Sequence, residues 1–571
     1  MYTVLNFKYR YAFFGFLLIA FFSCSRSKFA QLNTDPDAVL TIDPSTELTP
    51  GELSIHSSDF EVFYDFVRDI KPWTQTYVRT VGNLATFTTS GGNINNRWGI
   101  FYGGVGYNLA DVLHIIDNMP AAKNAQYQYM RAIATIPMIY YAFYVSDANG
   151  SIPYTEAFKA RYTVPPLFTP HYQAQEILYD TLDAQLKAAV AVLESSPSVT
   201  QISPGAQDIY FGGDPTHWIK AANSLRLKIA MRLMKQNPAK TTAIANEVIN
   251  EQVGLIGSIA DDWILYSSTL GNGGNSNPIN QGNYSGEYNH VNFMWKTQDP
   301  RIRVFYQQSG INTQDIFDSA KAQGALPDTL LWDGQPYRGQ FASPAVNEDP
   351  TRAYYFQTIT FSYKGVKQQL SYPSIIQAGL TSYVLNLPSG TGGKNMFPVI
   401  TYADVCLMRA ELAARNLTSD PIPAATLYDS GVVASLKNYD TWASNTGELN
   451  YTPLLASEIS NYLAQPGVAY DPVNAIEQIC DQEYLNYYVN ANEGWALIKR
   501  TGYPSSTGVI MPSEDVSAYP AMPRRYAATF PSLGDLNYTN EVNAIDSMAL
   551  DKNYGAPTDM TGRVWWDSPN P

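Results

Sequence analysis

The sequence predicts a mainly α-helical protein that carries a large irregular region and few short strands. Three observations carry this expectation. The stretch Gly212 to Lys235 has the start, stop and periodicity of a buried helix, and apolar spacing of three and four residues recurs on both sides of it. Between about Leu255 and Ile400 that periodicity gives way to Gly, Pro, Asn and isolated aromatic rings.

Residues 1 to 24, MYTVLNFKYRYAFFGFLLIAFFSC, place Lys8 and Arg10 ahead of the apolar run Ala12 to Phe22 and the small Ser23. That run is too short to span a bilayer as a permanent helix, so residues 1–23 read as a signal peptide. Cys24, directly after it, resembles the lipobox cysteine of bacterial lipoproteins, whose thiol is acylated; Phe21 and Phe22 depart from the usual Leu and small residue. An anchor of two or more acyl chains holds a protein on a membrane without a transmembrane helix. Phe29 to Val39 ends in an Asn/Asp/Pro turn cluster, and residues 24–51 are expected to form the lipidated N-terminus and its tether.

Residues 52–97 read as mixed helix and loop. Trp98 to Met119 and Asn124 to Val145 read as an antiparallel helix pair, with Pro137 expected to kink the second member. Asn149, Gly150 and Pro153 break the pattern, and a helix over about 171–195 carries Ile177, Leu178, Leu182, Leu186, Ala189 and Leu193 on one side. In Gly212 to Lys235, Asp214 is placed to cap the helix and Pro215 to open it, where its missing N–H costs nothing. Trp218, Ala222, Leu225, Ile229 and Leu233 recur on one face; Ser224, Lys228, Arg232 and Lys235 form a narrower polar stripe, and Asn237-Pro238 ends the run. Lys240 to Glu251 adds a further helix.

The irregular region carries Gly271 to Gly274 and Asn277-Pro278, with Asp299 expected to cap a short helix starting at Pro300. Helical pattern returns at Thr401, with Tyr402, Val405, Cys406, Met408 and Leu412 set for burial, and again over Ala475 to Arg500. Residues 52–571 are therefore expected to be one domain, its helical scaffold at about 98–251 and 401–500 and its loop-rich region at about 255–400.

The chain has 41 tyrosines and only 15% charged residues, a composition that fits a folded, aromatic-decorated surface rather than disorder. Without residues 1–23 it holds 35 basic against 51 acidic residues, which excludes a nucleic-acid binder dependent on a basic face. Cys406 and Cys480 lie in amphipathic helical patterns and read as buried free thiols rather than as a long-range disulfide.

Several short motifs resemble the SusD/RagB family of surface nutrient-binding lipoproteins, and they occur in the family's order. They are Asn33-Thr34-Asp35-Pro36; the Gly150 to Ala157 turn GSIPYTEA; the Gly212-Gly213-Asp214 turn leading into Trp218-Ile219-Lys220-Ala221-Ala222-Asn223-Ser224-Leu225; Asp299-Pro300-Arg301; Thr401-Tyr402-Ala403-Asp404, with Asp in place of Glu; Glu493-Gly494-Trp495; and Lys499-Arg500-Thr501-Gly502, with Lys where Arg is common. The resemblance implies a tetratricopeptide-like scaffold of helical hairpins, although no clean repeat of roughly 34 residues is visible in the sequence. It also implies an outer-membrane lipoprotein facing the exterior that captures an oligosaccharide or a peptide, performs no covalent chemistry, and delivers its cargo to a SusC-like TonB-dependent transporter as a lid. A cell-surface hydrolase or an adhesin on the same anchor is the alternative.

No enzyme motif supports the hydrolase. His56, His114, His171, His217 and His290 lack metal-ligand spacing and read as surface or helix-end residues; no Gly-x-Ser-x-Gly elbow or phosphate loop occurs, and no cofactor is expected. Aromatic rings are the better lead, because a flat apolar face suits the C–H side of a sugar while nearby Asn, Asp and Arg satisfy its hydroxyls. Trp218, Trp495, Trp565 and Trp566 are assigned to packing. Trp73, Tyr77 and Arg79, with Trp332 and Tyr337, lie in segments without helical period and are the expected ligand-binding residues; Tyr284 and Tyr288 are second choices.

Overall fold

The computed structural model describes residues 42–56, 61–79, 89, 92–266, 283–342, 346, 348–377, 396–446, 451–512 and 521–569. Cys24, Gly271 to Gly274 and Asn277-Pro278 lie outside the described residues, and the helices and strands belong to a single unit that begins at Pro44.

Local chemistry sets the helices of the first half. α1 (Ser45–Leu53) packs on α2 (Gly106–Asp117), which continues a π-helical turn, Phe101–Val105. α3 (Gln128–Asn149) starts later than periodicity alone implies because Pro120 opens a separate short turn, Ala121–Asn124; α3 runs on past Pro137 and stops at Gly150, whose φ of 82° suits glycine. α4 (Gln175–Glu194) packs between α3 and α5 (Pro215–Leu233). Its Leu178, Leu182 and Leu186 are buried, but Ile177 points outward, 58% exposed. The Asp214 carboxylate accepts the Thr216 amide at 2.8 Å and Pro215 takes the first helical position, as expected. α5 ends at Leu233, and Asn237 caps α6 (Pro238–Asn250) by accepting the Lys240 amide at 3.0 Å.

In the second half, α7 (Tyr288–Lys296) follows the first part of the loop-rich region. α8 (Tyr402–Ala414) opens with a capping box between Thr401 and Asp404, and Tyr402, expected inside, is only half-buried. The stretch Ala475 to Arg500 is two helices, α9 (Ala475–Asn486) and α10 (Ala491–Thr501), separated by Tyr487 to Asn490. Among the described residues the strands form four antiparallel pairs: β1 (Tyr77–Arg79) with β5 (Tyr284–Gly286), β2 (Ile152–Pro153) with β3 (Tyr172–Gln173), β4 (Trp263–Tyr266) with β8 (Met396–Ile400), and β6 (Thr358–Tyr363) with β7 (Val366–Ser371).

The polar stripe of α5 faces inward. Ser224, Lys228 and Arg232 are buried, and Arg232 donates to both Asp147 carboxylate oxygens, at 3.0 and 3.2 Å, and to Glu493 at 2.9 Å. Lys228 lies 3.5 Å from the other Glu493 oxygen, and the Trp566 indole donates to the Asp147 carbonyl at 2.9 Å. Burial alone would raise the Glu493 carboxyl, but Arg232 and Lys228 overcome it and hold it at about 2. Charges taken out of water persist only when paired, so this network fixes α3, α5, α10 and the C-terminal segment against one another.

Cys406 and Cys480 are buried free thiols. Trp218, Trp495 and Trp566 are fully buried and Trp565 half-buried, in keeping with packing roles. His290 departs from the surface reading: it is buried, its Nδ1 is 2.5 Å from the Tyr306 hydroxyl, and burial pushes it down to about 3. Asp299 accepts the Arg301 amide at 2.9 Å, and the short helix it precedes is assigned from Ile302 to Phe305.

Candidate functional site

Three segments far apart in sequence meet beside α7. β1 and β5 pair with Tyr77 opposite Gly286 and Arg79 opposite Tyr284. Gln340 joins them: its side-chain amide donates to the Arg79 carbonyl at 2.7 Å and accepts from the Ser285 hydroxyl at 2.9 Å, while its backbone exchanges hydrogen bonds of 2.8 Å with Gly286 and Tyr288. Gly339 permits this approach, since a Cβ there would lie 2.3 Å from the Tyr288 Cα and 2.7 Å from the Glu287 carbonyl oxygen. Glu287 caps α7, accepting the Asn289 and His290 amides at 2.7 and 3.0 Å, and burial pushes its carboxyl up to about 8.

On this frame sits an aromatic cluster. Tyr288 stacks on Phe341 with ring centroids 4.2 Å apart, Tyr355 meets both edge-on at 5.6 and 5.0 Å, and the Arg352 guanidinium lies 5.5 Å from the Phe341 ring. Tyr288, Phe341 and Tyr355 are each half-buried, and Arg352 is exposed. Trp332, also half-buried, lies between Phe317 and the Arg338 guanidinium, at 5.6 and 5.1 Å, and Arg338 is paired with Asp333 at 2.8 Å. Half-covered rings beside a cation and amide groups can hold a polar organic ligand through both dispersion and hydrogen bonds.

The residues expected to bind ligand divide sharply. Tyr288 and Trp332 keep ring surface. Trp73 is 1% exposed with its ring 5.5 Å from Trp495, and Tyr77 is wholly buried, 5.4 Å from Tyr284 and 6.4 Å from Tyr488; neither has a free face on which a ligand could stack. Tyr284 and Tyr337 are buried as well, and the Arg79 guanidinium turns back to donate to the Arg68 carbonyl. Absence of helical period singles these residues out in the sequence, but Tyr77, Arg79 and Tyr284 lie on three-residue strands, which lack that period too, and Trp73 lies in a short helical turn, Lys71–Thr74. Phe341, Arg352 and Trp295 escape the sequence reading as site residues. The visible signal is Tyr288, Asn292 and Trp295, spaced by four and three residues on one helix face.

Among the described residues, Glu411, Cys480 and Glu483 approach one another closely enough to hold a cation. Arg500 already occupies that place, 2.5 Å from Glu411 and 3.1 Å from Glu483, and Arg415 adds a contact of 2.7 Å. The cluster is an ion-pair network.

A family model described as SusD-like, starch-binding and associating with the outer membrane matches residues 36–324 and 342–531. No curated protein matches. Similar solved structures include a chitin-binding protein at 21% identity, covering 92% of this chain and all of its own, with a TM-score of 0.67. A SusD homologue from Bacteroides fragilis matches at 18% identity, over 92% of this chain and all of its own, with a TM-score of 0.65. A chitin-binding SusD homologue from Flavobacterium johnsoniae does so at 18% identity, over 92% and 99%, with a TM-score of 0.62. The mostly helical architecture with few short strands matches the tetratricopeptide-like fold of these structures.

Proposed function

The chain belongs to the SusD-like family of starch-binding proteins that associate with the outer membrane, and from that premise we propose that it captures an oligosaccharide nutrient at the Tyr288–Phe341–Tyr355 cluster. Cys24 serves as the lipid anchor and holds the protein on the exterior face of the outer membrane, and the captured ligand passes to a SusC-like TonB-dependent transporter. No described helix is long and apolar enough to cross a membrane. The protein binds without covalent chemistry. Acting as a lid, it needs two docked positions of similar energy and a ligand that prefers the closed one.

The single observation that carries this reading is the half-exposed aromatic group framed by Gln340 and Gly339, with Arg352 at its edge. The chitin-binding neighbours favour a glycan, and a peptide is the other ligand class such a surface accepts. Calorimetry of the soluble protein begun at Ser25, without the anchoring cysteine, against glycan and oligopeptide panels, followed by product analysis, tests it. Binding of an intact saccharide, lost in Tyr288→Ala, is the expected result. Released product would replace capture with hydrolysis, and saccharide binding untouched by Tyr288→Ala would remove the site from this cluster.

A further inference from the structure

α7 exposes more than one ring. Tyr288, Asn292 and Trp295 lie within a narrow stripe, since residues four and seven positions apart return to the same side of a helix. The rest of the helix surface at His290, Val291, Phe293 and Met294 is buried. Trp295 is 37% exposed, its ring 6.3 Å from that of Tyr337, and the Gln335 amide donates to Asn292 at 3.1 Å midway along the stripe. At about 1.5 Å of rise per residue, Tyr288 and Trp295 stand roughly 10 Å apart along a straight axis. That is the length of a disaccharide unit in an extended chain.

We infer that α7 is a straight binding rail, with Trp295 as a second sugar platform beyond Tyr288 and with Asn292 and Gln335 supplying hydrogen bonds between them. The inference rests on the capture function proposed above and narrows its ligand. Two platforms on a straight axis fit a flat, extended β-linked chain, whose rings alternate along a ribbon. A coiled α-linked chain such as amylose would leave one platform behind as it curves away. The polar groups between the rings face equatorial hydroxyl or acetamido substituents of such a ribbon.

The same soluble protein is titrated with N-acetylglucosamine oligomers from monomer to hexamer and with maltooligosaccharides of the same lengths. Affinity is expected to rise at least tenfold (about 1.4 kcal/mol) between the dimer and the tetramer of the β-linked series, with no such step in the α-linked series. Trp295→Ala should abolish that step; because Trp295 is at the surface, 37% exposed, an unaltered melting temperature confirms that the variant is folded. A length profile that is flat, or that Trp295→Ala leaves intact, overturns the rail while preserving capture at Tyr288. A length step in the α-linked series alone overturns the β-linked assignment. If no oligomer of either series binds, the rail falls, and if the broader glycan and oligopeptide panels also fail, the capture function falls with it.

Discussion

Glu493 on α10 accepts a hydrogen bond from Arg232 on α5 at 2.9 Å, across 261 positions of sequence. The two residues lie on the two helices that carry the most recognisable motifs in the chain, and their side chains meet in the core. Substituting Glu493→Gln would leave Lys228 without its carboxylate and Arg232 with only Asp147. Removing one partner of a buried pair costs about 3–5 kcal/mol, so a loss of that size is expected in chemical denaturation at neutral pH. Because Glu493 is held at about 2 against an ordinary 4.5, its contribution is present above pH 4.5 and fades as pH falls from there toward 2. The variant should therefore show a shallower acid limb than the parent, and equal slopes would assign the acid sensitivity elsewhere.

Asp262 gives the opposite pH dependence. It accepts the Tyr402 amide at 2.6 Å and the Asn438 amide at 3.0 Å, and burial pushes its carboxyl up from 3.8 to about 8. The folded state thus prefers the protonated acid. Its contribution is present below pH 3.8 and is lost as pH rises from there through 8. Asp262→Asn should be more stable relative to the parent at pH 8.5 than at pH 5, and thermal melts at the two values decide it.

Much of the helical scaffold was legible in the sequence because its signals are local. Asp214 with Pro215 and Asn237 before Pro238 act within one turn, and each forms the expected cap or stop; the Thr401–Asp404 capping box is equally local, at the point where the helical pattern returns. The destination of the α5 stripe was not legible, because the spacing of Ser224, Lys228 and Arg232 is the same whether they face solvent or a carboxylate contributed from residue 493. The site was half legible for a related reason. Composition marks segments 73–79, 284–288 and 332–338 as aromatic, and the structure does bring them together. Which rings are covered depends on pairing of β1 with β5, and three-residue strands carry no usable period.

The Lys499 ammonium lies 3.7 Å from the Trp495 ring and 4.8 Å from that of Trp566. Burial pulls it down from 10.5 to about 7. A depressed lysine contributes stability above pH 10.5 that is lost as pH falls through 7. Lys499→Met removes the titrating group, so the difference in stability between variant and parent should shrink as pH rises from 7 to 10. Denaturant midpoints across that range measure it, and a constant difference would show that Lys499 does not change its charge there.

Gly339 ties the fold to the site. A Cβ at this position would lie 2.3 Å from the Tyr288 Cα and 2.7 Å from the Tyr288 amide nitrogen, so the neighbour it meets is backbone and cannot swing aside. Gly339→Ala must push the Tyr337 to Phe341 segment away from β5, lengthening the hydrogen bonds of Gln340 with Gly286 and Tyr288. Overpacking of this kind costs about 1–3 kcal/mol. It also separates Phe341 from Tyr288, whose rings now stack at 4.2 Å. Saccharide affinity is therefore expected to fall at least tenfold, about 1.4 kcal/mol, in a protein whose far-ultraviolet circular dichroism is unchanged. Full affinity in a folded Gly339→Ala variant would mean that the ligand does not use the Tyr288–Phe341 pair.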